Sequence, residues 1–160
     1  MVASINKPLS IKFNILMFSD QDLEDIHSPD DDALVIKVQI SNNMVSRVLV
    51  DIGAGISIFF KDAIERMRIL DIINKSKTMF HTFIETLVQS FKMAKLAIHV
   101  YLTTTRRFST SWIASTLHNA ILGSNWLYKM KASPSYFHQL FHYLAPAEVK
   151  EIMRDQAVAR

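Results

Sequence analysis

One stretch, VLVDIGAGISIFF (48–60), limits the possible folds more than any other part of the chain. Two apolar, β-prone runs flank a single carboxylate, Asp51, and a turn containing Gly53 and Gly55. A charge between two strand-like runs is stable only where water or hydrogen-bond donors reach it. Two readings satisfy that condition. Asp51 sits in a solvent-facing hairpin, or it is an acid–base carboxylate at the end of a core strand, beside backbone N–H groups. An Asp-x-Gly triplet is common and decides nothing alone. The apolar residues on both sides make a solvent-facing turn the less natural choice.

The surroundings read as mostly β. ALVIKVQI (33–40) places apolar residues at 34, 36, 38 and 40, the period of a half-buried strand. Ser41-Asn42-Asn43 supplies turn residues tolerant of left-handed backbone. MVSRVLVD (44–51) returns as the second arm of a hairpin ending at Asp51. ISIFF (56–60) is a further strand. In KDAIERMRIL the period changes, with Phe60, Ile64 and Met67 on one helical face. AKLAIHVYLTT (94–104), SWIASTL (111–117) and NAILG (119–123) read as strands, and IKFNILM (11–17) as a possible first one. SNWLYKM (124–130) reads as a short helix capped by Ser124 or Asn125. Residues 79–93 and SYFHQLFHYL (135–144) fit strand or helix equally well. FSDQDLEDIHSPDDDA (18–33) is acidic and contains Pro29, so it reads as an irregular connection.

Composition excludes several function classes. The chain has 160 residues and 49% hydrophobic side chains, enough for one domain with a proper core and too apolar for disorder. Charged residues interrupt every apolar run before about 18 residues, so no bilayer span is expected. The first residues lack a signal-peptide pattern. With no cysteine there is no disulfide, thiolate metal site or Cys nucleophile, and an intracellular protein, cytoplasmic or nuclear, is the simplest expectation. A net charge of +3, with only Arg106-Arg107 as a basic pair, argues against a nucleic-acid groove. His138 and His142 stand at the i, i+4 spacing of a helical metal pair, yet no Glu accompanies them in the H-E-x-x-H manner. Asp30-Asp31-Asp32 lacks the alternation of a calcium loop. Neither is expected to bind metal. Glycine is scarce: an average chain of this length carries about eleven, and this one has three, at 53, 55 and 123.

Five pieces in order, FSDQDLEDIHSPDDDALVI (18–36), VSRVLVDIGAGISIFFKDAIERM (45–67), NAILGSNWL (119–127), SPSYFHQL (133–140) and EIMRDQAVAR (151–160), carry a resemblance. Together they resemble the protease segment of plant gypsy-type retrotransposon polyproteins, a retropepsin-like aspartic protease domain. The similarity runs from about residue 18 to the C-terminus and is thinnest in the middle. It implies a mainly β fold, a closed barrel forming one acid-protease half, with one or two short helices. It also implies an N-terminal arm over 1–30, the retropepsin-like domain over 31–145 and a C-terminal tail over 146–160 leading toward a lost polyprotein region.

The implied activity is endoproteolysis by a homodimer acting on an extended peptide, without cofactor or metal. Each chain would contribute Asp51 as its catalytic carboxyl. Ile52, Gly53 and Ala54 would form the catalytic loop, and Ile121, Leu122 and Gly123 would support it. The sequence departs from the family pattern at Ile52, where Thr or Ser is usual, and its hydroxyl normally fixes the loop across the dimer. The family's flap hairpin is glycine-rich, whereas HTFIETLVQSFKMAKL (81–96) has no glycine. Arg154 stands where a family glycine is expected. These departures imply weak or absent activity and a loss of turn glycines. A non-catalytic dimerisation or peptide-binding module, or a functionless fragment of the retroelement, are the other expectations.

Overall fold

The computed structural model describes residues 16–23, 33–69, 79–84, 87–100, 103–111, 117–146 and 148–155. A seven-stranded sheet in the order β1-β2-β7-β3-β6-β5-β4 dominates it. β1 (Val35–Ile40) and β2 (Asn43–Val50) form the expected hairpin, turning at Ser41, whose φ is 52°. β3 (Ile58–Phe59) leads into α1 (Lys61–Arg66). β4 (Met79–Ile84), β5 (Leu87–Val100) and β6 (Thr103–Ser111) then run antiparallel, and β7 (Ala120–Leu122) enters α2 (Ser124–Met130). β1 also pairs with β5 through Gln39↔His99 and Ile40↔Ile98, so the sheet curls back on itself. β4 alone lies outside this closure, attached to β5.

The alternating apolar positions of β1 explain the curl. Leu34, Ile36, Val38 and Ile40 all face the interior with Val45, Val48 and Val50 of the return strand. They meet Leu96, Ile98 and Val100 of β5, Phe59, and the buried faces of both helices in one continuous core. Burying a side chain of this size stabilises the fold by about 1.5–3 kcal/mol. The β1–β2 register slips between Ile36 and Val38. Opposite that slip Arg47 takes a φ of 53°, the left-handed backbone of a bulge usually filled by glycine.

A second sheet of three strands, β8 (Ala132–Ser135), β9 (Leu140–Leu144) and β10 (Val149–Met153), is antiparallel throughout. Trp126 of α2 packs edge-on against Phe141 of β9, which ties this sheet to the main core. The Asp155 N–H donates to the Val35 carbonyl (2.8 Å) and makes a backbone link to β1.

Several sequence expectations change. The segment 79–93 is strand on both sides of residues 85–86, so the glycine-free 81–96 stretch still forms a hairpin, with Ile84 opposite Leu87. The expected strand 94–104 divides between β5 and β6. In 135–144 a turn precedes strand β9, so His138 and His142 are not one helical turn apart. Gly123, rather than Ser124 or Asn125, occupies the N-cap of α2, and no side chain caps it. The stretch expected as a C-terminal tail contains β10, which pairs along its whole length with β9. Residues 16–19 are not strand, and 11–15, 30–32 and 112–116 lie outside the described residues.

None of the described glycines has a positive φ, while Ser41, Arg47, Arg68, Lys131 and Gln139 do. Each such non-glycine residue costs roughly 1–2 kcal/mol relative to right-handed backbone. Among the described residues, left-handed positions are therefore filled by side chains that carry this cost. Arg154 is not among them. The expectation that it replaced a conformationally required glycine finds no backbone strain to support it.

Candidate functional site

β2 and β7 run parallel, with Val48↔Ala120, Leu49↔Ile121 and Val50↔Leu122 in register. Parallel pairing delivers both strand ends to one point, where Asp51 leaves β2 and Gly123 leaves β7. The Asp51 N–H donates to the Leu122 carbonyl (3.0 Å), which continues the ladder one step past the strand. Asp51 is half-buried, and its Oδ1 accepts from the Gly53 N–H at 2.8 Å. The Ala54 N–H closes a tight turn on the Asp51 carbonyl (3.3 Å). Asp51 is therefore neither in a hairpin tip nor in the core. It stands at a strand end with one backbone donor already directed at its carboxylate.

Gly123 sets how closely the two strand ends approach. A Cβ at this position would lie 2.5 Å from the carbonyl oxygens of both Ala54 and Ile56. Only glycine lets the loop pass here. Across this contact the Ser124 N–H and hydroxyl both donate to the Ala54 carbonyl, at 2.8 and 3.1 Å. Ser57, fully buried, accepts from the Gly123 N–H (3.1 Å) and donates to Asn125 Oδ1 (2.8 Å). Ile121 is half-buried and Leu122 fully buried, so the latter anchors the strand beneath the loop.

The far side of the loop is held by a residue that sequence reasoning left without a role. Tyr136, in the turn between β8 and β9, donates its hydroxyl to the Val50 carbonyl (3.0 Å) and accepts from the Ile52 N–H (3.3 Å). One phenol thus bridges the residues before and after Asp51. Tyr136 lies inside the quoted SPSYFHQL segment, but a contact spanning more than eighty residues leaves no periodic trace. Ser57 was equally silent, and Asn125 was read only as a possible helix cap, because small polar residues near a turn usually mean only a turn or cap.

The rim is apolar and open. Ile52 is 55% exposed and Ile56 40% exposed, flanking the exposed Gly53 and Gly55. A cavity of about 530 Å³ lies elsewhere, against β1, β5 and β10, and no residue of the Asp51 loop lines it. Among the described residues, His118 is the one titratable group with a clear shift. Partial burial, then the nearby Arg47 charge, lowers it below its ordinary value.

With this geometry in view, comparison with solved structures decides the fold. The chain superposes on the retroviral protease-like domain of Ddi1 from Leishmania major with a TM-score of 0.59, at 14% identity, over 77% of this chain and 94% of that one. The fold is retropepsin-like. EIAV protease in complex with an inhibitor (TM-score 0.44, 15% identity, 69% of this chain and 96% of that one) and a retropepsin-like aspartic protease from Rickettsia conorii (0.47, 14%, 64% and 76%) are also similar. Those two scores are too low to add to the argument. No family model matches the sequence, and no curated protein matches it. At such identities the likeness establishes the retropepsin-like fold, and any activity must be argued from the site. No helix among the described residues is long and apolar enough to cross a membrane.

Proposed function

We propose that this chain is the retropepsin-type domain of a plant gypsy-type retroelement, built to cleave extended peptides as a homodimer and attenuated at Ile52. The observation that carries this reading is the convergence of the Asp51 turn and the Gly123 strand end. There a half-buried carboxylate accepts one backbone donor, the Gly53 N–H, on one side of an open, apolar rim.

One chain offers one carboxylate, which is half of what this chemistry requires. In the dimer two Asp51 carboxyls share a single proton, because two like charges in contact cannot both ionise. The ionised one takes a proton from a water as that water attacks the scissile carbonyl carbon. The protonated one donates to the carbonyl oxygen, and collapse of the tetrahedral intermediate passes a proton to the departing amine. Gly53, Ala54, Ile121, Leu122 and Gly123 act only by holding Asp51 in place. The β4–β5 hairpin is the natural cover for a peptide. Ile52 supplies bulk without a hydroxyl, so the two loops lack a polar tie across the dimer axis. Acid–base groups must be held to about 0.5 Å to work well.

The test is peptide-library cleavage at about pH 4–6. Wild type is expected to cleave slowly or not at all. Ile52→Thr raises the rate at least tenfold, and adding Asp51→Asn abolishes it. If a dimeric Ile52→Thr protein cleaves no faster than its Asp51→Asn derivative, the protease reading fails. The exposed Ile52 and Ile56 then favour a non-catalytic module that pairs copies or takes up a peptide as an added strand.

A further inference from the structure

His138 and His142 stand four residues apart in the sequence, and the fold sets one in a turn and the other on β9, both rings against Phe18 but with different polar neighbours. His138 Nδ1 pairs with Ser135 Oγ (2.7 Å) in the turn before β9. His142 meets different company. It lies opposite Glu151 in the β9–β10 register, and Asp22, from the 3₁₀ turn Asp20–Leu23, approaches the same point. The three side chains offer ligand atoms within 4.8 Å of one another.

The imidazole is buried, and Nε2 is the nitrogen that faces the carboxylate of Glu151. His142 is only 7% exposed, and its Nδ1 has no hydrogen-bond partner. Its Nε2 lies 3.6 Å from Glu151 Oε2, too far for a hydrogen bond. The Phe18 ring lies flat against it, with centroids 4.6 Å apart and planes 4° apart. Stacking fixes the ring by its face and leaves Nε2 at the edge turned toward Glu151. Asp22 is oriented as well: the Ser19 N–H (2.7 Å) and hydroxyl (3.4 Å) both donate to its Oδ2. Glu151 is exposed, so solvent and ions reach the group from outside.

We propose that Asp22, His142 and Glu151 form a binding site for a divalent ion of the zinc type. The site would fasten the N-terminal turn to the second sheet. A neutral imidazole with two carboxylates carries two negative charges, which a divalent cation balances. One nitrogen and two oxygen donors suit zinc or cobalt, whereas magnesium and calcium prefer all-oxygen sets. Zinc draws such donors to about 2.0–2.2 Å, bringing ligand atoms to about 3.5 Å from one another. The Nε2–Oε2 distance of 3.6 Å already matches that spacing. The remaining contraction falls on Asp22 and Glu151, whose side chains are less buried than His142. Water completes the tetrahedron on the open side.

The experiment uses the full chain, stripped with a chelator and titrated with zinc chloride by calorimetry, with thermal melts in parallel. One equivalent per chain is expected to bind, and Co²⁺ in its place should give a tetrahedral visible spectrum. With zinc at 100 times its dissociation constant, Tm should rise by about 5–10 °C. Glu151→Gln and Asp22→Asn keep the shape of exposed or half-buried side chains and should each weaken binding at least tenfold. Their double variant should show no zinc-dependent rise in Tm. His138→Gln should leave binding unchanged. The proposal is overturned if wild type binds no zinc, or if the double variant binds as tightly as wild type. It is also overturned if His138→Gln removes binding while Glu151→Gln does not. None of these outcomes depends on peptide cleavage, so the site stands or falls apart from the protease reading.

Discussion

Gly123→Ala is the sharpest test of how the Asp51 loop is held. The new Cβ would sit 2.5 Å from two backbone oxygens, about 0.9 Å inside the 3.4 Å at which ordinary contact begins. Neither oxygen belongs to a side chain that can rotate away, so the 54–56 segment and the end of β7 must separate. Overpacking of this kind costs about 1–3 kcal/mol. Separation also stretches the Ser124 bonds to Ala54 and the Gly123 bond to Ser57. Losing two of these adds about 1–3 kcal/mol. A total of about 2–6 kcal/mol lowers Tm by roughly 4–24 °C for a domain of this size. Gly55→Ala is the matched control, since its Cβ would meet nothing within 4 Å. That variant should stay within about 0.5 kcal/mol of wild type. Urea unfolding and thermal melts followed by far-ultraviolet circular dichroism measure both. If Gly123→Ala falls no further than Gly55→Ala, the strand ends are not in contact and the site geometry described above is wrong.

Further outcomes follow from other elements. Lys131 closes α2 at φ 50° and Arg47 occupies the β2 bulge at φ 53°, so glycine at either position should raise stability by about 1 kcal/mol, read as a higher urea midpoint. Tyr136→Phe removes the hydroxyl bridging Val50 and Ile52 and should cost about 1–2 kcal/mol, with faster amide exchange at Ile52 as the local signature. His118 is lowered below 6.5 in the folded chain by burial and then by Arg47. The unfolded chain therefore binds the proton more readily. The stability held by neutral His118 is complete above about pH 6.5 and is lost as pH falls through the lower folded value. Melts from pH 7.5 to 4.5 should show His118→Gln losing less stability than wild type below pH 6.5. Parallel curves would refute the assignment.

Much of the fold was legible because it depends on local pattern. The two-residue period of 33–40, the turn at Ser41–Asn43 and the return to Asp51 are short-range signals, and β1 and β2 fall where they point. The change of period after Phe60 gave α1, and the Gly123 boundary gave α2. The legible part of the site was the Asp51 turn and the apolar pair before Gly123, since both rest on residues a few positions apart. Segment 135–144 was ambiguous because its aromatic density signals burial without a period. Four of the five β9 residues are buried, so no alternation survives to mark it as strand.

By itself the sequence determined the strand that ends in a carboxylate, the glycine spacing around it and the absence of thiol chemistry. Each is a property of neighbouring residues and their backbone preferences. Only the tertiary structure decided that β2 and β7 lie parallel, so that Asp51 and Gly123, seventy-two positions apart, meet at one point. It also decided that Tyr136 fastens the loop, and that His142 faces Asp22 and Glu151 rather than His138. Those contacts arise from closing a curled sheet around one apolar core. That closure is set by the sum of many buried side chains and by no single stretch of the chain.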